Sequence, residues 1–154
     1  MVAIKCIEKD RVLNKLKWIR EQIALIMSLD HPNIITYFET YESEATIFIV
    51  MEHCSGGNLI DRLVEMGKGN YTEKDTQTIM KKLLQAINHC HSQGIVHRNI
   101  RPESIMYKSP SHDFVTDIVI STFGLASRTN FGGKDTGFNA RVGCPYYVAP
   151  EVVT

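Results

Sequence analysis

No charge sign dominates this chain: its 154 residues carry 17 Lys+Arg against 17 Asp+Glu. That balance argues against a nucleic-acid partner or an anionic membrane surface. The densest basic stretch (Lys9, Arg11, Lys15, Lys17, Arg20) is interleaved with apolar residues and reads as the solvated face of a helix. Long hydrophobic runs are missing too. None approaches the ~20 residues that a membrane span needs, and residues 1–20 lack a signal-peptide pattern. The cysteines Cys6, Cys54, Cys90 and Cys144 form no C-x-x-C pair. This spacing offers neither a zinc site nor a disulfide framework and suits a reducing compartment. His89, Cys90 and His91 are adjacent, and neighbours on a helix point in different directions, so they do not converge on a metal. A cytoplasmic protein is expected.

What is present is the composition of an ordinary globular domain, 44% hydrophobic and 22% charged, with enough length for one core. Val2 to Ile7 reads as a strand. Leu13, Leu16, Ile19, Ile23, Ile26 and Met27 recur at helical spacing until His31-Pro32-Asn33. Ile34–Thr40 and Thr46–Met51 read as a hairpin around Tyr41 to Glu44. Gly56-Gly57 breaks the chain before a short helix carrying Leu59, Ile60, Leu63 and Val64, stopped by Gly67. Thr72 with acidic residues behind it caps a longer helix. Its apolar face is read as Ile79, Met80, Leu83, Leu84, Ile87 and Cys90, and Gly94 closes it. Short strands follow at Ser104–Tyr107 and Val115–Ile120, and Ser127 to Val142 reads as a mobile polar segment.

Several strings then fall in a known order. Val2-Ala3-Ile4-Lys5 is followed by Asp30-His31-Pro32-Asn33-Ile34-Ile35, by Met51-Glu52 through Gly56-Gly57, and by His97-Arg98-Asn99-Ile100-Arg101-Pro102-Glu103-Ser104. Thr122-Phe123-Gly124 and Gly143 to Glu151 complete the series. The set resembles eukaryotic protein kinases, whose V-A-I-K, H-R-D, D-F-G and A-P-E motifs run in this sequence. In style it is similar to the calcium/calmodulin-dependent and calcium-dependent kinases. The resemblance implies an α+β, two-lobed kinase-like fold. Residues 1–51 would form part of the N-lobe, 52–57 the hinge and 58–154 part of the C-lobe. It also implies truncation at both ends, since no glycine-rich loop precedes Val2 and no late C-lobe helices follow Glu151.

By the same resemblance Lys5, Met51, Glu52 and Cys54 stand at nucleotide-binding positions, with Met51 at the back of the pocket. Gln22 stands where the family has the glutamate that pairs with this lysine; an amide accepts a hydrogen bond but supplies no charge. Asn99 occupies the position of the catalytic base, and an amide cannot take a proton from a substrate hydroxyl. Arg101 replaces the loop lysine, exchanging a point donor for a planar fork. Thr122 and Ser104 replace the two Mg²⁺ ligands, and neutral hydroxyls are poor substitutes for a hard cation's preferred oxygens. Asn58 replaces an acidic residue that contacts ribose or a basic substrate. His97 is expected to pack rather than react. Arg98 is retained and would pair with a phosphate on Thr129 or Thr136, although ordinary loop polarity accounts for those threonines as well.

The expectation is therefore a pseudokinase that acts through protein contacts, with ATP as a candidate ligand and Mg²⁺ not expected. The alternatives are a Ser/Thr kinase with residual or altered activity, and a fragment without a stable function of its own.

Overall fold

The computed structural model describes residues 1–65, 71–110, 117–128 and 142–153. Strand β1 (Val2–Glu8) leads through a 3-10 stretch (Lys9–Lys15) into helix α1 (Leu16–Ile26). Strands β2 (Tyr37–Glu42) and β3 (Thr46–Glu52) complete an antiparallel sheet of order β1-β3-β2. The central strand β3 pairs Ile49 with Lys5 and Met51 with Ala3. Alternation along β3 buries Ile47 and Ile49, which pack with Ile19 of α1 into a small core. Ser43 closes the β2–β3 turn: its Oγ accepts from the Thr46 N–H at 3.0 Å.

Helix α2 (Leu59–Glu65), helix α3 (Glu73–Ser92), β4 (Ile95–Val96), a 3-10 turn (Pro102–Ser104) and β5 (Ile105–Tyr107) follow. Then come β6 (Ile118–Ile120), β7 (Ser127–Arg128) and α4 (Pro150–Val153). β5 pairs with β6 and β4 with β7, both antiparallel. The larger core joins Leu25 and Ile26 of α1 to Ile79 and Leu83 of α3 and to the fully buried Ile118 and Ile120. α3 begins with a capping box in which the Thr72 Oγ1 accepts from the Asp75 N–H at 3.1 Å and Asp75 Oδ2 accepts from the Thr72 N–H at 3.0 Å.

Several expectations need correction. α1 begins at Leu16, not Leu13, because Val12 leaves helical geometry (φ −134°) and Leu13 lies exposed in the 3-10 stretch. The strand expected from Ile34 begins at Tyr37. Ile34 and Ile35 are both buried, which an alternating strand does not allow, and the Ile35 N–H donates instead to the Ile120 carbonyl at 2.9 Å. The buried face of α3 is narrower than expected: Met80 and Leu84 are exposed, while Ile79, Leu83, Ala86 and Cys90 are buried. The strand expected over 115–120 is Ile118–Ile120, and β7 was not anticipated. Gly67, Val115, Thr129 and Thr136 lie outside the described residues, as does most of the segment expected to be mobile. Among the described residues, no helix is long and apolar enough to cross a membrane.

Candidate functional site

Period-2 geometry places Ala3, Lys5 and Ile7 on one face of β1, and helical geometry places Trp18, Gln22 and Ile26 on one face of α1. All six line one cavity of about 560 Å³. β3 adds Ile49, Met51 and Glu52, the stretch after it adds Cys54, and β5 adds Met106. The far wall is Ser121 to Gly124. The lining is mainly apolar with a few convergent polar groups, the usual make-up of a small-molecule pocket.

The cavity joins the sheet to the segment after β6, and those parts are tied together. The Tyr37 hydroxyl donates to the Ser121 carbonyl at 3.2 Å, and burial pushes its pKa up to about 12. Asn33 Nδ2 donates to the Ile118 carbonyl at 2.8 Å. Lys108 Nζ lies 3.1 Å from Glu52 Oε1, an ion pair with both side chains mostly shielded.

Lys5, Met51, Glu52 and Cys54 thus line one cavity. Lys5 is accessible and, among the described residues, makes no hydrogen bond or ion pair. Gln22 Oε1 is buried with no hydrogen-bond partner. The Glu52 carboxylate is held by Lys108 and faces the Thr36 N–H at 3.4 Å. Burial, with Glu52 nearby, pushes the Cys54 thiol up to about 11, so it is a neutral thiol and not a nucleophile at neutral pH.

The opposite wall is different. Ser104 is 1% exposed; its Oγ donates to the Arg101 carbonyl at 2.7 Å and accepts from the Arg101 N–H at 3.1 Å. Ser121 Oγ donates to the Ser104 carbonyl at 3.1 Å. Thr122 Oγ1, 3.2 Å from Ser121 Oγ, is then left as the donor of that pair. The Thr122 and Ser121 hydroxyls thus run onto the Ser104 carbonyl, while the Ser104 hydroxyl closes on Arg101.

His97 is buried and meets the Phe123 ring edge-on at 4.6 Å. Burial lowers its pKa to about 4, with the Thr122 backbone pulling the other way. The Asn99 N–H donates to His97 Nδ1 at 3.3 Å. Asn99 itself lines a second groove of about 530 Å³ with Arg98, Gly143 and Tyr147, rather than the first cavity. Arg98 adopts φ 63°, uncommon for a non-glycine residue, and its Nε donates to the Leu125 carbonyl at 2.7 Å. Gly143 closes on it: with φ 132°, a Cβ there would sit 3.2 Å from the Arg98 carbonyl oxygen. Asn58 is a helix cap, its Oδ1 accepting from the N–H groups of Ile60 (2.8 Å) and Asp61 (3.0 Å) at the start of α2.

The cavity fits a nucleotide: it is apolar along its length with an uncompensated lysine at one side. It does not fit Mg²⁺. Glu52 is the acidic residue among the described lining residues, and it is engaged by Lys108. Among the described residues, no group of three or more His, Cys, Asp or Glu side chains is placed to hold a metal ion. Sequence reasoning had missed Ala3, Trp18, Ile49 and Met106 as lining residues. The signal for the first two was periodicity; Met106 reaches the cavity only through the β5–β6 pairing.

An apolar cleft between a three-stranded sheet with its helix and a mainly helical lower part, with a lysine on the sheet, defines a kinase-type nucleotide fold. The profile of the protein kinase domain matches residues 1–154, the whole chain, which therefore belongs to the protein kinase domain family. It is 41% identical over 154 residues to calcium/calmodulin-dependent protein kinase type 1 of Macrobrachium nipponense, covering 99% of this chain and 42% of that one. It is 38% identical over 151 residues to calcium-dependent protein kinase 5 of Plasmodium berghei, covering 98% of this chain and 25% of that one. Human calcium/calmodulin-dependent protein kinase type 1B is 37% identical over 153 residues, with 99% and 42% covered. The chain spans less than half the length of these relatives.

Proposed function

We propose that this chain is a kinase-fold module that works by binding, with nucleotide in the cleft and a protein partner as its output, rather than by phosphoryl transfer. One observation carries the reading. At the base position and both metal positions the residues are neutral; the buried Ser104 hydroxyl is closed on Arg101, and the exposed Thr122 hydroxyl pairs with its neighbour Ser121. Phosphoryl transfer depends on positioning and on neutralising charge with metal ions, and a missing general base alone costs ~10²–10⁴ in rate. The retained Lys5, Met51, Glu52 and Cys54 around the cavity support a ligand there.

The second reading is a Ser/Thr protein kinase, favoured by the similarity to calcium/calmodulin-dependent and calcium-dependent kinases across nearly the whole chain. A transfer assay with labelled ATP, Mg²⁺ and a peptide substrate separates them. The binding module gives no signal above background. Turnover that needs metal and disappears in Lys5→Met establishes the kinase and overturns the first reading.

A further inference from the structure

We infer that the cleft takes a nucleoside polyphosphate free of metal, and that Mg²⁺ competes with its binding instead of assisting it. The inference rests on the reading above that the cleft holds nucleotide; what it adds is the ionic form of the ligand. Charge decides it. Lys5 lines the cavity without a hydrogen bond or ion pair among the described residues. Gln22, on the facing helix, is neutral, and its buried Oε1 lacks a partner. Thr122 brings no charge to the far wall, and Glu52 is neutralised by Lys108. The lysine side of the cavity is therefore positive, with no free carboxylate among the described lining residues to repel a bare polyphosphate.

Chelation reverses the balance. Mg²⁺ removes two negative charges from the phosphates and so weakens their attraction to Lys5. In return it brings coordination positions that call for carboxylates or other strong oxygen donors. The Ser104 hydroxyl is already closed on Arg101, donating to its carbonyl and accepting from its N–H. Where a site supplies metal ligands, the ion bridges protein and phosphate. Here it reduces attraction on one side and gains nothing on the other.

The chain carries its own reporter, since its single tryptophan, Trp18, lines the cavity. Trp18 emission is followed while ATP is titrated into the full chain, once in EDTA and once with MgCl₂ in excess over ATP. The apparent Kd should be about tenfold weaker with Mg²⁺. A Kd that is unchanged or tighter with Mg²⁺ overturns the inference. Adenosine, which has no phosphate to chelate, should be insensitive to Mg²⁺; an equal effect on adenosine would place the ion's action on the protein and also overturn it. Thr122→Asp adds a carboxylate at an exposed position and should turn the Mg²⁺ effect from weakening to tightening, whereas an unaltered effect counts against the inference. Absence of any Trp18 response and of any rise in Tm with ATP, in either buffer, overturns the nucleotide reading itself.

Discussion

The two walls of the cleft use their polar groups in opposite ways. On the sheet side, Lys5 has no partner among the described residues and Gln22 Oε1 is buried without one. On the other side, the Ser104 and Ser121 hydroxyls are bonded to backbone, Thr122 Oγ1 pairs with Ser121 Oγ, and the Asn99 N–H is taken up by His97. A buried polar atom left unsatisfied costs roughly 1–3 kcal/mol, so the first wall is incomplete without a ligand. On the second, buried His97 Nε2 and Arg101 Nε also lack partners, but the hydroxyls of Ser104 and Ser121 are bonded to backbone. The difference is that the sheet side leaves polar groups of the cavity open, while the hydroxyls across from it are bonded within the protein.

The strongest way to break this comparison is to restore the chemistry. Asn99→Asp and Thr122→Asp together, and then with Ser104→Asn, should raise labelled phosphate transfer by ~10²–10⁴ over the parent chain. Ser104 is fully buried, so the larger asparagine should also lower stability by about 1–3 kcal/mol. The double variant keeps the test valid if the triple unfolds. Restored variants no more active than the parent would mean that these positions do not set the level of transfer.

The next effect concerns His97. Its folded pKa is lowered to about 4 by burial, below the ordinary 6.5. The unfolded chain therefore takes up the proton first as pH falls. The contribution of the neutral imidazole is complete above about pH 6.5 and is lost progressively down to about pH 4, at ~1.4 kcal/mol per pH unit. Urea midpoints across that window should fall less steeply in His97→Gln. Equal slopes would mean that His97 is reached by solvent in the folded state and that the lower wall is open.

How far these walls were legible in sequence depends on the range of the contacts that make them. Ala3, Lys5 and Ile7 share a face because side chains alternate along a strand, and the cap at Thr72 is a four-residue pattern; both are local and were readable. The long-range arrangements were not. Ile34 and Ile35 look like strand residues, yet they leave the sheet to meet Ile120, more than eighty positions away. Met80 and Leu84 fit the apolar stripe of α3 but lie outside the arc that its neighbours cover. The motif positions Lys5, Met51, Glu52 and Cys54 could be named from resemblance. That Ser104 closes on its own turn, and that Asn99 faces the neighbouring groove, depends on backbone geometry that no spacing encodes.

A smaller effect sharpens the contrast through stability alone. Ser104→Ala removes two hydrogen bonds at a buried position and should cost about 1–3 kcal/mol. Lys5→Met, which breaks no side-chain hydrogen bond or ion pair among the described residues, should change stability by no more than about 0.5 kcal/mol. Urea midpoints at constant m provide the comparison. Similar losses in both variants would erase the distinction between the walls.

The smallest expected effect tests where the binding wall ends. Asn58 stands at a position that family resemblance assigns to ribose or substrate contact, yet its Oδ1 accepts from two N–H groups of α2, and its own N–H donates to Asp61 Oδ2 at 3.0 Å. Its side chain lies outside the lining of the nucleotide cavity. If it is a cap, Asn58→Ala should lower stability by about 1 kcal/mol, and Asn58→Ser should recover most of the loss, since serine caps nearly as well. The Trp18 titration with ATP should give the same Kd for all three proteins, because the substitution removes a helix cap and no ligand contact. A Kd that weakens severalfold in Asn58→Ala while stability holds would move Asn58 to the binding wall, and would show that the lower part of the cleft still has a residue free to meet its ligand.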